Sequence, residues 1–356
     1  MIRIVVHESI AGGGLVNAPL PPRLLAEGRL MLLGLLDDLA RLPHVHVTTT
    51  RDARVSPDGW PAGVATRVIA PGTSLDALLD GLLADADAAL LVAPETDGVL
   101  ERLTRRVEQA GRLVLGASSA AVRIAADKGA TAAALLAAGV AVPPGLSVPL
   151  AHHAVESAAA RVGYPAVVKP TDGVSGLGAT RVEGPAGLRA ALERAAGAAG
   201  VGSRSVRVER WIEGTAASVS LVADGRRAAA LALNAQRLTL GADGALAYAG
   251  GATPLDHPRA AEALEAARRA VEAIPGLAGY VGVDLVLPDD GGGPVVVEVN
   301  PRLTTAYAGL RLATPLNLAR LAVEACCGGR LPAGPLPLAS RAAWTTGDAW
   351  IERAAA

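Results

Sequence analysis

Lys128 and Lys169 are the only two lysines among 33 basic residues; the other 31 are arginine. In a chain so biased toward guanidinium, a retained ammonium is expected where a compact, flexible cation is needed and a planar fork does not serve, chance survival being the plain alternative. Lys169 ends the apolar run PAVVKP and is followed at once by TDGVSGLG, in which Gly173, Gly176 and Gly178 flank Ser175. Glycines let main-chain N–H groups approach phosphate oxygens closely, a serine hydroxyl adds a donor, and an ammonium neutralises phosphate charge. Such a turn also serves ordinary chain reversal, so the loop alone leaves phosphate binding open. Farther along, Asp284 lies in YVGVDLVL, and Glu298 and Asn300 lie in PVVVEVN. Strict alternation puts Val296, Glu298 and Asn300 on one strand face, and Gly282, Asp284 and Val286 on one face of the other. Carboxylate and amide oxygens of this kind suit Mg²⁺ or Mn²⁺ bridged to phosphates, although a solvated sheet face is the plain alternative. Arg302, two residues beyond Asn300, adds a cation where transferring charge would gather.

These residues need elements to hold them. The first 117 residues alternate short apolar runs (2–7, 44–50, 66–70, 88–94, 112–117) with helical stretches at 23–42, 75–84 and 97–110. That order predicts a doubly wound parallel sheet. The cluster Gly12, Gly13 and Gly14 follows the first strand, where such sheets bind ligands, but G-x-G-x-x-G spacing and a Walker A sequence are both missing. A single long helix is expected from Ser118 to Gly139, stopped by Pro143 and Pro144. Strands dominate from 205 onward, with a helix at 258–273, which reads as α+β. The expected organisation is an N-terminal α/β domain over 1–117, a second domain over 118–330 divided near 210, and a C-terminal tail over 331–356 introduced by LPAGPLPLAS.

Six elements occur in a fixed order: Lys128 in AADKGA, Lys169 in VVKP, the glycine turn, Glu209 to Ile212 in VERWIEG, Asp284 in GVDLVL, and EVNPR at 298–302. Over roughly residues 115–330 this series resembles the ATP-grasp superfamily, and the preceding sheet is similar to the domain that usually accompanies it. The resemblance implies an ATP-grasp fold behind a pre-ATP-grasp domain, with a central lid subdomain at about 128–210 and a metal-binding subdomain at about 211–330. It implies ATP as the nucleotide. Lys128 and Lys169 would contact its phosphates, the loop of Gly173, Ser175, Gly176 and Gly178 would close over them, and Glu209, Trp211 and Ile212 would hold the base. Asp284, Glu298 and Asn300 would carry one or two Mg²⁺ or Mn²⁺ ions, and Arg302, with Lys169, would stabilise the transferring phosphoryl group. Where many relatives place an acid for the ribose, this chain has Thr215, Ala216 and Ala217; Glu213 is a substitute candidate.

Further segments resemble one branch, the tyramine–L-glutamate ligases of methanofuran-type cofactor synthesis. They are HESIAGGGL at 7–15, LNAQR at 233–237, GGATP at 250–254 and NPRLTTAYAGLR at 300–311. This nominates Gly12, Gly13, Gly14, Gln236, Arg237, Thr304, Thr305, Tyr307 and Arg311 as substrate residues. The implied reaction joins a carboxylate to an amine through an acyl-phosphate, releasing ADP and phosphate. A ligase for a different amino acid and amine, or a nucleotide-binding protein without turnover, are the alternatives.

Net charge is −1 and no basic block occurs, so a nucleic-acid partner is not expected. No run approaches about 18 uninterrupted apolar residues and the N-terminus lacks a signal-type apolar region, so neither a membrane span nor secretion is expected and the cytoplasm is the default. The expected partners are a small-molecule carboxylate and amine, with a homodimer left open. His44 and His46 read as strand residues. Neighbouring Cys326 and Cys327 read as packing residues and exclude a disulfide framework.

Overall fold

The computed structural model describes residues 1–174 and 176–352, so Ser175 lies outside the described residues. The N-terminal strands β1 (Ile2–Glu8), β2 (Val45–Asp52), β3 (Ala65–Ile69), β4 (Ala88–Val92) and β5 (Leu113–Val114) form a parallel sheet in the order β3-β2-β1-β4-β5. Helices α1 (Pro22–Ala40), α2 (Leu75–Ala84) and α3 (Val99–Gln109) make its connections. The strand order reverses between β1 and β4, whose carboxyl ends meet at Glu8 opposite Val92. Ligands of doubly wound sheets bind at such a switch point.

The segment expected as one helix is two, α4 (Ser119–Ala126) and α5 (Lys128–Ala137). Asp127 breaks it: its backbone is extended (φ −100°, ψ 109°) and its carboxylate caps the N–H groups of Gly129 and Ala130 at 2.7 and 2.9 Å. Helical periodicity does not register one extended residue, but an Asp that satisfies orphan N–H groups starts a new helix. As a result Lys128 is the first residue of α5, and its N–H bonds to the carbonyl of Thr171.

An antiparallel four-stranded sheet follows, β6 (Gly145–Pro149), β7 (Ala166–Pro170), β8 (Thr180–Val182) and β9 (Ser205–Arg210), in the order β6-β9-β7-β8. Helices α6 (His152–Val162) and α7 (Leu188–Ala198) cover it around Val155, Val168, Leu188 and Val206. The third sheet is antiparallel and has seven strands. These are β10 (Gly214–Asp224), β11 (Ala228–Leu240), β12 (Leu246–Thr253), β13 (Ala278–Pro288), β14 (Val295–Asn300), β15 (Ala342–Trp344) and β16 (Ala349–Ile351), in the order β14-β13-β10-β11-β12-β15-β16. Helix α8 (Ala260–Glu272) packs on β11, while α9 (Ala306–Ala313) and α10 (Leu318–Gly328) lie against β12 and β13.

Two expectations change here. The 331–356 stretch is not simply a tail, because β15 and β16 extend the sheet and Trp344 is completely buried. No separate strand at 246–253 is read from the sequence; β12 carries the apolar run ALAYA at 245–249 and is held by its pairing with β11 and β15.

Helix α1 shares one core with α9 and α10, through Leu32, Leu35, Leu36, Tyr307, Leu310 and Leu318. Buried polar contacts lock the same seam. Tyr307 donates to Asp38 at 2.6 Å, Arg311 reaches Asp37 and Asp38, and the Asn317 side chain donates to the carbonyl of Asp38 at 2.8 Å. The N-terminal domain is thereby fixed against the large sheet. No helix among the described residues is long and apolar enough to cross a membrane.

Candidate active site

The two antiparallel sheets and α1 converge on a cavity of about 250 Å³. Lys128, Lys169, Gly173, Gly176, Trp211, Ile212, Gln236, Asp284, Glu298, Asn300 and Arg302 are among its lining residues, which brings the two lysines and the three oxygen donors into one place. Lys128 Nζ lies 2.6 Å from the carbonyl of Gly173 and 2.9 Å from Glu298 Oε1, tying the glycine turn to the acidic strand. Burial opposes charge on this ammonium, but the Glu298 carboxylate outweighs it and holds the Lys128 pKa above the usual lysine value. Lys169 Nζ lies 2.6 Å from Glu209 Oε2, and Arg207 Nε reaches the other oxygen at 2.6 Å. Burial would raise the Glu209 pKa; the two cations reverse that and lower it.

Asp284 and Glu298 stand directly opposite each other on β13 and β14. A register shift after Asp284 pairs Leu285 with Val296, leaving Val297 as the extra residue of a bulge. Strict alternation would have put Val296 beside Glu298, but the bulge turns Val296 into the core with Val299 while Glu298 and Asn300 face the cavity. Asp284 accepts from the side chains of Gln236 at 2.8 Å and Asn300 at 3.3 Å. Burial, reinforced by the charge of Glu298, pushes its pKa up to about 7. Two half-buried carboxylates facing one another, joined by an amide oxygen, form a hard-oxygen set that fits Mg²⁺ or Mn²⁺. Among the described residues no group of three or more His, Cys, Asp and Glu that could hold a metal ion occurs, and the amide beside this acidic pair is that of Asn300.

Arg302 is buried and gripped at both ends by Glu95, with Nε to Oε1 at 2.9 Å and the terminal nitrogen to Oε2 at 3.0 Å. Glu95 follows β4, and its neighbour Thr96 donates to the carbonyl of Asp172 in the glycine turn at 2.9 Å. The loop at the N-terminal switch point therefore touches both the arginine and the turn. Glu8, at the end of β1, is buried and accepts the N–H groups of Ile10 and Ala11 at 3.1 and 2.6 Å. A Cβ at position 28 would stand 2.6 Å from the Glu8 carboxylate, so Gly28 is what lets α1 pass this close.

The comparisons with known proteins agree with this geometry. The ATP-grasp domain model matches residues 125–306, just over half of the chain, and a pre ATP-grasp 3 domain model matches 45–122. The chain belongs to the ATP-grasp family. It is 28% identical over 238 residues to a tyramine–L-glutamate ligase from Methanocaldococcus fervens, a match covering 67% of this chain and 65% of that protein. It resembles the crystal structure of a protein described as an ATP-grasp superfamily member from Archaeoglobus fulgidus (TM-score 0.69, 22% identity, 99% of this chain and 98% of that one). It also resembles biotin carboxylase from Campylobacter jejuni in complex with βγ-ATP (TM-score 0.71, 18% identity, 96% and 75%). The last two likenesses are of fold.

Several residues that the superfamily and branch resemblances nominated fall elsewhere. Gly178 (φ +78°) is a turn glycine with Ala198 2.6 Å from where a Cβ would be, and it does not line the cavity. Gly12, Gly13 and Gly14 form the tight turn after β1, away from the cavity wall. Arg237 is exposed, and its guanidinium bonds to the carbonyls of Gly251 and Trp344, which makes it a clasp for β11, β12 and β15. Tyr307 and Arg311 belong to the α1 seam described above. Thr304 and Thr305 do line the cavity. At the hinge, the main-chain N–H of Trp211 is already bonded to the carbonyl of Pro165, whereas its indole Nε1–H is buried without a partner among the described residues. Glu213 pairs with Arg181 at 3.0 Å and lies outside the lining, whereas Ala216 is within it.

Sequence reasoning missed Glu8, Glu27, Glu95, Tyr248 and Trp344. Tyr248 lines the cavity; its hydroxyl lies 2.8 Å from Thr305 Oγ1 and accepts from Trp344 Nε1 at 2.7 Å. Burial, the largest influence, pushes its pKa up to about 12. Trp344 is seated between Gly251 and Gly309, where a Cβ would lie 2.4 and 2.1 Å from its ring. Glu27 carried a readable signal: it is an acid on the apolar stripe of α1, in phase with Met31 and Leu35.

Proposed function

We propose that this chain is an ATP-dependent carboxylate–amine ligase that releases ADP and phosphate, with the γ-carboxyl of L-glutamate and tyramine as its substrates. The observation that carries the reaction class is the meeting of Lys128, Lys169, Arg302, Asp284, Glu298 and Asn300 in one enclosed site. In the first step a carboxylate oxygen attacks the γ-phosphorus, an O–P bond forms, and the bond to the ADP oxygen breaks. Lys128, Lys169 and Arg302 are placed to disperse the charge on the transferring oxygens. Asp284, Glu298 and Asn300 would hold Mg²⁺ or Mn²⁺, which supplies neutralisation of the nucleotide phosphates. In the second step the amine nitrogen attacks the acyl carbon, the C–O bond to phosphate breaks, and the nitrogen loses its proton. The glycine turn, tied down through Lys128 and Thr96, would keep water from the acyl-phosphate.

The substrate pair is supported by the 28% identity to the tyramine–L-glutamate ligase and by Gln236, Thr304 and Thr305, residues of the branch segments that line the cavity. A γ-glutamyl amide used in methanofuran-type cofactors is the corresponding product. The test is ADP release by purified protein with ATP, Mg²⁺ or Mn²⁺, L-glutamate and tyramine, with each substrate omitted in turn and the amide identified by mass. Release that needs both substrates and yields γ-glutamyltyramine is expected. Tight ATP binding without release would refute this substrate pair.

A further inference from the structure

Amide formation puts negative charge on an oxygen that the ligase reading leaves without a partner. When the neutral amine adds to the acyl carbon, the carbonyl electron pair moves onto the acyl oxygen, whereas Lys128, Lys169 and Arg302 are assigned to the phosphoryl oxygens. Two hydroxyls stand on the wall of the same cavity, those of Tyr248 and Thr305. Thr305 lies three residues after Arg302 at the start of α9 and is 8% exposed. Its side chain does not cap that helix, which is the ordinary use of a threonine at such a position. Its hydroxyl oxygen is instead 2.8 Å from the Tyr248 hydroxyl, which accepts from Trp344 Nε1 at 2.7 Å. An indole N–H only donates, so the Tyr248 oxygen is the acceptor there. The two hydroxyls hold two protons, and the bond between them uses one, whichever of them donates. The other proton has no acceptor among the described residues. Burial keeps Tyr248 protonated, with its pKa pushed up to about 12, so this count holds at neutral pH.

We propose that the Tyr248–Thr305 pair is a catalytic oxyanion donor, its spare O–H bonding the acyl oxygen during amide formation. This inference rests on the ligase reading above. A C–N bond forms as the carbonyl pair shifts to the acyl oxygen. The pair then returns, the C–O bond to phosphate breaks, and inorganic phosphate leaves with the proton from nitrogen. The same oxygen changes in the opposite sense in the first step. There it begins as half of a carboxylate and ends as a carbonyl, losing charge, so a donor bound to it favours the starting state. One uncharged donor therefore speeds the second step and leaves the first unchanged or slightly slower. A cation at this place would hold the substrate carboxylate and blunt its attack on phosphorus. Trp344 occupies the acceptor side of the Tyr248 oxygen from β15, beyond the 125–306 span that the ATP-grasp domain model matches.

The test resolves the two steps in wild type, Tyr248→Phe, Thr305→Val and the double variant. Rapid-quench ADP formation in the first turnover, with ATP, Mg²⁺ and saturating L-glutamate but no amine, reads the first step. Adding tyramine, or hydroxylamine in parallel, to the preformed acyl-phosphate complex and following amide or hydroxamate reads the second. In the double variant the second step should slow about 10- to 100-fold while the first stays within about threefold or quickens, as loss of a donor to a developing charge implies. Each single variant keeps one O–H on the wall, and its loss should be smaller. Both steps are read on one sample, so a partly unfolded preparation leaves their ratio unchanged, and Thr305→Val keeps Tyr248 on Trp344. Equal slowing of both steps would reduce the pair to scaffolding, and an unchanged second step would remove it from the chemistry. Either result overturns the assignment while the ligase reading survives. First-turnover ADP from wild type without amide or hydroxamate overturns it too, since no acyl oxygen then gains charge. If wild type forms no ADP and no hydroxamate, the ligase reading itself fails and takes this inference with it.

Discussion

His7 and Glu8 are neighbours at the end of β1, both fully buried, and their ionisations oppose each other. Burial drives the His7 pKa from the usual 6.5 down to about 4. Burial drives the Glu8 pKa from 4.5 up to about 7, against the pull of the Ile10 and Ala11 N–H groups and of Arg302. For His7 the unfolded chain holds the extra proton between pH 4 and 6.5, so its contribution to stability rises with pH across that window. For Glu8 the folded chain holds the extra proton between pH 4.5 and 7, so stability is present at low pH and lost as pH rises. Each slope is about 1.4 kcal/mol per pH unit, and the two cancel where the windows overlap. Glu8→Gln removes one of them. Wild-type stability should be nearly flat in this pair's contribution from pH 4.5 to 6.5, whereas the variant should gain about 3 kcal/mol over the same span. The lost acceptor at Ala11 shifts the variant curve downward by a constant amount, so the readout is the difference in slope. Denaturant unfolding of both proteins at half-unit pH steps measures it. Parallel curves would show that Glu8 is ionised in the fold at pH 5, and the assignment of a buried neutral acid beneath α1 would be wrong.

Three other outcomes are expected. Lys169→Ala and Glu298→Ala should each lower ATP-dependent turnover by at least about 100-fold while circular dichroism stays native, because on the proposed function each removes a group that acts at the reacting phosphates; near-normal activity in either would displace the proposed site. Glu95→Gln should lower kcat about 100-fold with little change in the KM for ATP, since Arg302 loses its two-point anchor but keeps its charge. A matching rise in the KM for ATP would instead show Arg302 holding ground-state nucleotide. Gly309→Ala forces a methyl to within 2.1 Å of the Trp344 ring and should cost about 1–3 kcal/mol in denaturant unfolding; unchanged stability would mean that Trp344 is not wedged as described.

Much of the chemistry was readable in one dimension because it depends on residue type and order. Two lysines in an arginine-rich chain, a glycine turn after a strand, and acids in two apolar strands, taken together in their order, suggest phosphate and metal, although each alone leaves a plain structural alternative. Three kinds of feature were beyond that reach. Asp127 splits one periodic segment into two helices, a matter of a single backbone angle. The bulge at Val297 changes which valine shares a face with Glu298, because register is set by the partner strand. The residues nominated at 304–311 divide between cavity and seam according to what α1 presents to them, with Thr304 and Thr305 at the cavity and Tyr307 and Arg311 on Asp38. Glu27, Glu95 and Trp344 are distant in sequence from the rest of the site, and packing of α1, the loop after β4 and β15 brings them to it. Local order of residues thus determined which reacting groups this protein carries. Tertiary contact alone decided which of them face one another, since pairing across a sheet and docking of a helix are relations between segments that no single segment encodes.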